Sequence, residues 1–133
     1  ALGSIGSPEA VPFLLEVLDQ KRFENRIAAI KALGQIRDPR AVPALIRCLL
    51  EPKVEIQRCA IIALGDIGDT MAGPALINLL TNSRSVIRVE AIRALVKLKY
   101  TQAIPVLQQL LGGDRSKAVR DEAVRSLKSL SMV

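Results

Sequence analysis

Ala63-Leu64-Gly65-Asp66-Ile67-Gly68-Asp69 is the stretch whose echoes decide the fold. Its opening triplet recurs as Ala1-Leu2-Gly3 and Ala32-Leu33-Gly34, and Ala94-Leu95-Val96 continues it. The leucines at 2, 33, 64 and 95 are each 31 residues apart. A fifth copy, Ser126-Leu127-Lys128, follows after 32, so one residue is inserted. Pro12, Pro43, Pro74 and Pro105 keep the same interval of 31. Two series in phase mean an internal repeat, and a period in this range marks stacked units.

Working outward from the anchor leucine, each unit divides into two helices, A and B. Helix A follows a start signal: Ser7-Pro8, Asp38-Pro39, Asp69-Thr70 and Thr101-Gln102. Ser, Asp and Thr cap free N–H groups, and Pro suits the first helical position. The second proline, four residues on, should kink or tighten the first turn. An apolar stripe follows in Leu14, Leu45, Leu76 and Leu107, then in Leu18, Leu49, Leu80 and Leu111. Four-residue spacing puts these on one helix face.

Helix B carries the mate to that stripe. Ala29, Ala60, Ala91 and Ala123 stand four before the anchor, and Ile30, Ile61, Ile92 and Val124 three before. Eight before stand Ile56, Ile87 and Val119, with Asn25 the exception. Ile5, Ile36, Ile67, Leu98 and Leu130 stand three after. This is helical periodicity with a small residue where helices cross. Gly6 and Gly68 read as helix stops. The expected helices are a remnant at 1–5, then 9–19, 24–36, 40–50, 55–67, 71–81, 86–98, 102–111 and 117–130. No hairpin can bury its own stripe, so neighbours must stack.

Composition narrows the function classes. The 133 residues suffice for a core without disulfides or metals. Half are apolar, but the aromatics are only Phe13, Phe23 and Tyr100, which leaves little stacking surface for bases or flat cofactors. No apolar run nears the roughly 18 residues of a membrane helix. The net charge of +6 favours acidic partners without selecting one. Cys48 and Cys59 make no disulfide framework and point to a reducing, cytoplasmic setting. Ala1 opens the chain partway through a repeat, as a fragment of a longer protein would.

Most enzyme classes are short of parts. Without His there is no histidine base, no Ser-His or Cys-His pair and no histidine metal ligand. No Gly-rich phosphate loop is present, and Gly112-Gly113 reads as a turn. Cys48 falls in the helix A stripe and reads as core, whereas Cys59 is expected to be partly exposed. Asp66 and Asp69 suit helix-end capping better than acid/base work. The expectation is a non-enzyme with no cofactor.

The stretches Asp38-Pro39-Arg40-Ala41-Val42-Pro43-Ala44-Leu45-Ile46 and Ala63 to Asp69 resemble HEAT-like repeats, most closely the short type of the phycobilisome lyases. The resemblance covers the whole chain. It implies an all-α, right-handed α-solenoid of stacked antiparallel helix pairs, HEAT-like or armadillo-like. One domain, 1–133, would hold a partial repeat 1–6 and repeats 7–37, 38–68, 69–99 and 100–133. The lack of His removes the similar-looking deoxyhypusine hydroxylases, whose iron sits on His-Glu motifs. In such families an arginine opening helix B commonly meets the loop aspartate of the preceding unit. Here that implies an inter-repeat pair between Asp69 and Arg88.

Positions that vary between units while the core stays fixed are the candidates for function. They lie six, five and two before the anchor and two after it, and in HEAT-like arrays helix B lines the concave side. Stacked, they would give a ribbon of Lys31, Arg58, Arg93, Lys97 and Arg125 interleaved with exposed Ile27, Ile62 and Val89. Exposed aliphatics among cations suit a protein-binding groove. The favoured function is therefore a scaffold or adaptor module whose cations steer an acidic or amphipathic segment and whose aliphatics anchor it. The alternative is an accessory subunit of a bilin lyase, suggested by the resemblance alone. Nucleic-acid binding, as in repeat-built alkylpurine DNA glycosylases, comes third. Asp66, Glu90, Asp121 and Glu122 interrupt the basic ribbon, and no aromatic wedge is present.

Overall fold

The computed structural model describes residues 7–20 and 22–131. The expected remnant at 1–5, with Leu2, Ile5 and Gly6, lies outside the described residues. Among the described residues eight α-helices follow in order: α1 Val11–Leu18, α2 Phe23–Ile36, α3 Val42–Cys48, α4 Val54–Ile67, α5 Gly73–Asn78, α6 Ser85–Lys97, α7 Ile104–Gly113 and α8 Lys117–Ser131. No strand occurs among the described residues. The fold class is all-α, of HEAT-like helix pairs.

Two compact units, Ala1–Asp69 and Thr70–Val133, divide at a repeat border. In the first, α1 packs on α2 and α3 on α4, while α2 and α4 pack on each other. In the second, α5 pairs with α6 and α7 with α8, and α6 packs on α8. Within each unit, then, the second helix of one repeat lies against the second helix of the next.

Local chemistry sets the helix starts. A single 3-10 turn precedes each A helix, at Pro8–Ala10, Pro39–Ala41, Thr70–Ala72 and Thr101–Ala103. Ser7 Oγ accepts from the Glu9 N–H at 3.2 Å, and Asp38 Oδ1 accepts from the Arg40 N–H at 2.9 Å. Pro12, Pro43, Pro74 and Pro105 then fall in the first α-turn, where no intrahelical N–H is needed. The tightened first turn expected from the prolines is this 3-10 segment. The cap expected at Thr101 is displaced: Thr101 lies inside the turn, and Tyr100 takes the cap place without a side-chain cap bond. The reason is register, because Tyr100 stands five before Pro105 just as Asp38 stands five before Pro43.

Helix B ends also recur. Gly68 stops α4 with φ 77°, in the left-handed region. Arg37 and Lys99, in the same register one repeat either way, have φ 61° and 55° although each carries a Cβ. The exit geometry is common to three repeats, while glycine marks only one of them.

Leu14, Leu45, Leu76 and Leu107, with Ile30, Ile61 and Ile92, have no exposed surface and form the core. Each contributes about 1.5–3 kcal/mol by leaving water. The last repeat departs from the stripe. Leu111 is 39% exposed and Val124 37%. Stripe residues are buried by the next helix pair, and α8 packs only on α6 and α7 among the pairings between elements described here.

Candidate functional site

In each unit a groove runs between the two B helices, and both grooves are built from the same repeat positions. In the first unit the residue two before the α2 anchor, Lys31, faces the residues five and two before the α4 anchor, Cys59 and Ile62. Gly34 and Ala63 form the floor, Gln35 and Asp66 the lower end, and the volume is about 180 Å³. In the second unit Arg93 on α6 faces Glu122 and Arg125 on α8, with Val96 and Ser126 as floor and Ser129 at the end, in about 210 Å³.

The floor exists because the helices cross closely. A Cβ on Gly34 would lie 3.0 Å from Ala63 Cα, tighter than ordinary contact. The glycine of the Ala-Leu-Gly triplet thus allows α2 to approach α4. Crossing geometry also corrects one reading: the position five before the anchor is not outward-facing. Cys59, Glu90 and Glu122 are all buried there, because that position turns toward the neighbouring B helix. Burial pushes the Cys59 thiol up from its ordinary value, aided by the nearby Glu55 carboxylate, and burial raises Cys48 as well. Neither cysteine has the character of a nucleophile.

The two grooves differ in chemistry. Ile62 is 43% exposed beside Lys31, which makes no ion pair among the described residues. The first groove therefore sets an apolar wall of Cys59, Ile62 and Ala63 beside a cation at its lip, with the Gln35 amide and the Asp66 carboxylate at its lower end. In the second, Glu122 Oε1 accepts from Arg93 Nε at 3.1 Å and from Arg125 Nη2 at 2.9 Å. Arg93 Nη1 also reaches Glu90 Oε1 at 3.5 Å. The hydrogen bond and charge of Glu122 raise the Arg125 pKa. Here the expected cations are fixed onto buried carboxylates, so the charge of the groove is locally balanced rather than basic.

The remaining predicted positions are less central. Ile27 and Val89 are half-buried, not exposed as expected, because the position six before the anchor is partly covered. Arg58 is half-buried and lies 3.9 Å from Glu55. Lys97 is exposed in the last turn of α6. The structure thus brings Lys31 and Ile62 together in one unit and Arg93 and Arg125 together in the other. The floor residues Gly34, Val96 and Ser126 were not singled out from sequence. Their place next to the anchor leucine, facing the adjacent B helix, was the available signal.

The inter-repeat pair also needs correction. Arg88 bonds Asp114 through Nε and Nη2, both at 2.9 Å, and its Nη1 donates to the Asn82 carbonyl at 2.7 Å. Its carboxylate partner is therefore in the link of the following repeat, where the sequence pointed to Asp69. Asp69 is half-buried at the end of the first unit. The first unit repeats the device: Arg26, in the register of Arg88, pairs with Glu51 in the α3–α4 link. Both arginines sit in the first turn of a B helix, from which a long side chain can reach the neighbouring link. Where repeat two has Gln57 instead, its Nε2 donates to the Leu49 carbonyl at 3.1 Å.

Among the described residues, no helix is long and apolar enough to cross a membrane, and no cluster of His, Cys, Asp or Glu could hold a metal. The family described as HEAT repeats matches residues 1–58 and 50–128. The structure of the complex of CpcE and CpcF of phycocyanin lyase from Nostoc sp. PCC7120 is similar over 97% of this chain, with 28% identity and a TM-score of 0.80. Two engineered proteins are similar over 93% and 98% of the chain, at 27% and 25% identity, with TM-scores of 0.68 and 0.65. The chain spans 55% of the lyase chain and 63% and 42% of the engineered ones. No curated protein matches the sequence.

Proposed function

The chain belongs to the HEAT-repeat family, and from that premise we propose that it is a non-catalytic module that binds a segment of another protein along its B helices. One observation carries this reading. The same repeat positions line a groove in both units while the residues there differ, Cys59 and Ile62 in one and Glu122 and Arg125 in the other. A constant frame with variable lining suits recognition. It suits catalysis poorly, since Glu122 is held by Arg93 and Arg125 and burial pushes the Cys59 thiol up.

The first groove is the primary contact. An apolar partner side chain would enter beside Ile62 and Cys59, and a partner carboxylate would pair with Lys31 at the rim. An acidic, amphipathic segment meets both demands. Two buried free thiols fit a reducing, cytoplasmic location. The test is affinity capture from the native host with wild type and with Lys31→Glu/Ile62→Glu, read by mass spectrometry. Both positions are exposed, so the variant should fold. Selective loss of captured proteins is expected, and recovery of the same set by both baits would overturn the reading.

A second reading, an accessory subunit of a bilin lyase, draws on the likeness to the phycocyanin lyase complex. Phycocyanobilin mixed with the protein would change its absorbance spectrum under that reading. An unshifted spectrum removes it.

A further inference from the structure

One side chain in the second groove breaks the repeat pattern to its own disadvantage. One before the anchor, Ala32, Ala63 and Ala94 are buried, and the last repeat has Ser126 there, only 2% exposed. Its Oγ is buried and has no hydrogen-bond partner among the described residues. A hydroxyl taken out of water without a partner destabilises a fold, and serine is also a poorer helix former than alanine. Alanine, the choice of the other repeats, would avoid both penalties. Ser126 lines the space between α6 and α8, so a ligand lying in that groove is what would meet the hydroxyl.

The rest of the lining indicates what kind of ligand. Val96 stands where the first two full repeats have Gly34 and Gly65, and with the stems of Arg93 and Arg125 it gives the groove apolar walls. Glu122 accepts from Arg93 Nε and Arg125 Nη2, and Glu90 from Arg93 Nη1. A guanidinium carries five N–H donors, so these bonds orient the two arginines without exhausting them. Arg93 Nη2 and Arg125 Nε and Nη1 have no partner among the described residues. The charges, however, are already matched. A further carboxylate would compete with Glu122 for the same arginines and be repelled by it. A neutral group that accepts from N–H and donates to a hydroxyl meets no such opposition, and a primary amide does both. We propose that the α6–α8 groove takes a glutamine side chain of the partner segment. Its methylenes would lie against Val96, its carbonyl would accept from the free guanidinium N–H groups, and its NH2 would donate to Ser126 Oγ. The inference deepens the reading of the B-helix grooves as contacts for a partner protein and rests on it.

The probes are acetyl-glutamine-amide, acetyl-glutamate-amide and acetyl-leucine-amide. Each is titrated into the full chain while the backbone amide signals of Val96, Arg125 and Ser126 are followed by NMR. Capped glutamine should shift these signals at concentrations where the other two do not. Ser126→Ala should weaken its binding about fivefold or more, as loss of one hydrogen bond does. The same variant should raise the thermal midpoint by about 2 °C or more. A lower midpoint would mean that the hydroxyl holds the fold, and would overturn the proposal, as would unchanged binding in Ser126→Ala. Arg125→Met keeps the stem and removes the N–H groups, so it should also weaken capped glutamine about fivefold. Equal binding of capped glutamate would replace the amide by a carboxylate, and equal binding of capped leucine would reduce the groove to an apolar slot. Each of those results sinks the idea. Shifts that persist in Lys31→Glu/Ile62→Glu support this groove, and shifts lost in that variant would overturn the assignment. Host capture with the same variant alters only the first groove, so it tests the binding reading by itself.

Discussion

The ring of Tyr100 fills the space a side chain at Gly73 would occupy: a Cβ there would lie 2.3 Å from two ring carbons. Gly73 stands where other repeats have Val11, Val42 and Ile104, and Tyr100 stands where they have Ser7, Asp38 and Asp69. Two departures from the pattern thus compensate each other. Gly73→Val should destabilise the chain by about 1–3 kcal/mol through overpacking, although valine is the residue other repeats use there. Adding Tyr100→Asp should recover part of that loss, with a coupling of about 0.5–3 kcal/mol in urea unfolding. Strictly additive effects would show that the two do not share this space.

Arg88 and Asp114 form a nearly buried pair, with side chains 8% and 6% exposed. Removing one partner strands the other's charge. Arg88→Met should therefore cost about 3–5 kcal/mol, and Arg88→Met/Asp114→Leu distinctly less than the sum of the single changes. Chemical denaturation of the three variants measures this directly.

The same pair sets a pH dependence. Burial pushes the Asp114 carboxyl up, but hydrogen bonds and charge from Arg88, with a bond from the Ser116 N–H, outweigh it and leave the pKa below 3.8. The unfolded chain takes up this proton first as pH falls. The stabilisation is therefore complete above the unfolded value and is lost as pH drops through the lower folded one. Unfolding midpoints should change little on this account between about pH 7 and pH 5, then fall toward about pH 3. Asp114→Asn should flatten that acid limb.

Arg37 and Lys99 adopt the left-handed conformation that Gly68 adopts in the same register. A Cβ there costs on the order of 1–2 kcal/mol. Lys99→Gly should raise stability by up to about 1 kcal/mol once the greater freedom of the unfolded glycine is subtracted. A shift of the thermal midpoint upward checks this, and a downward shift would show that the Lys99 side chain contributes more than its backbone costs.

The recurrence of 31 residues, with the anchor leucines and prolines in phase, was enough to determine the helix pairs, their order and the core stripe. Those features follow from local periodicity and from the need of each hairpin to cover its apolar face. Lys31 and Ile62 were legible as groove residues because they vary against a constant frame. Tertiary structure alone decided that Arg93 and Arg125 are held by Glu122, that Arg88 turns to Asp114, and that Tyr100 fills the gap at Gly73. Each depends on side chains brought together from different helices, where reach, burial and charge select one partner among several at plausible spacing. Sequence periodicity reports which face a residue occupies but not which neighbour meets it there.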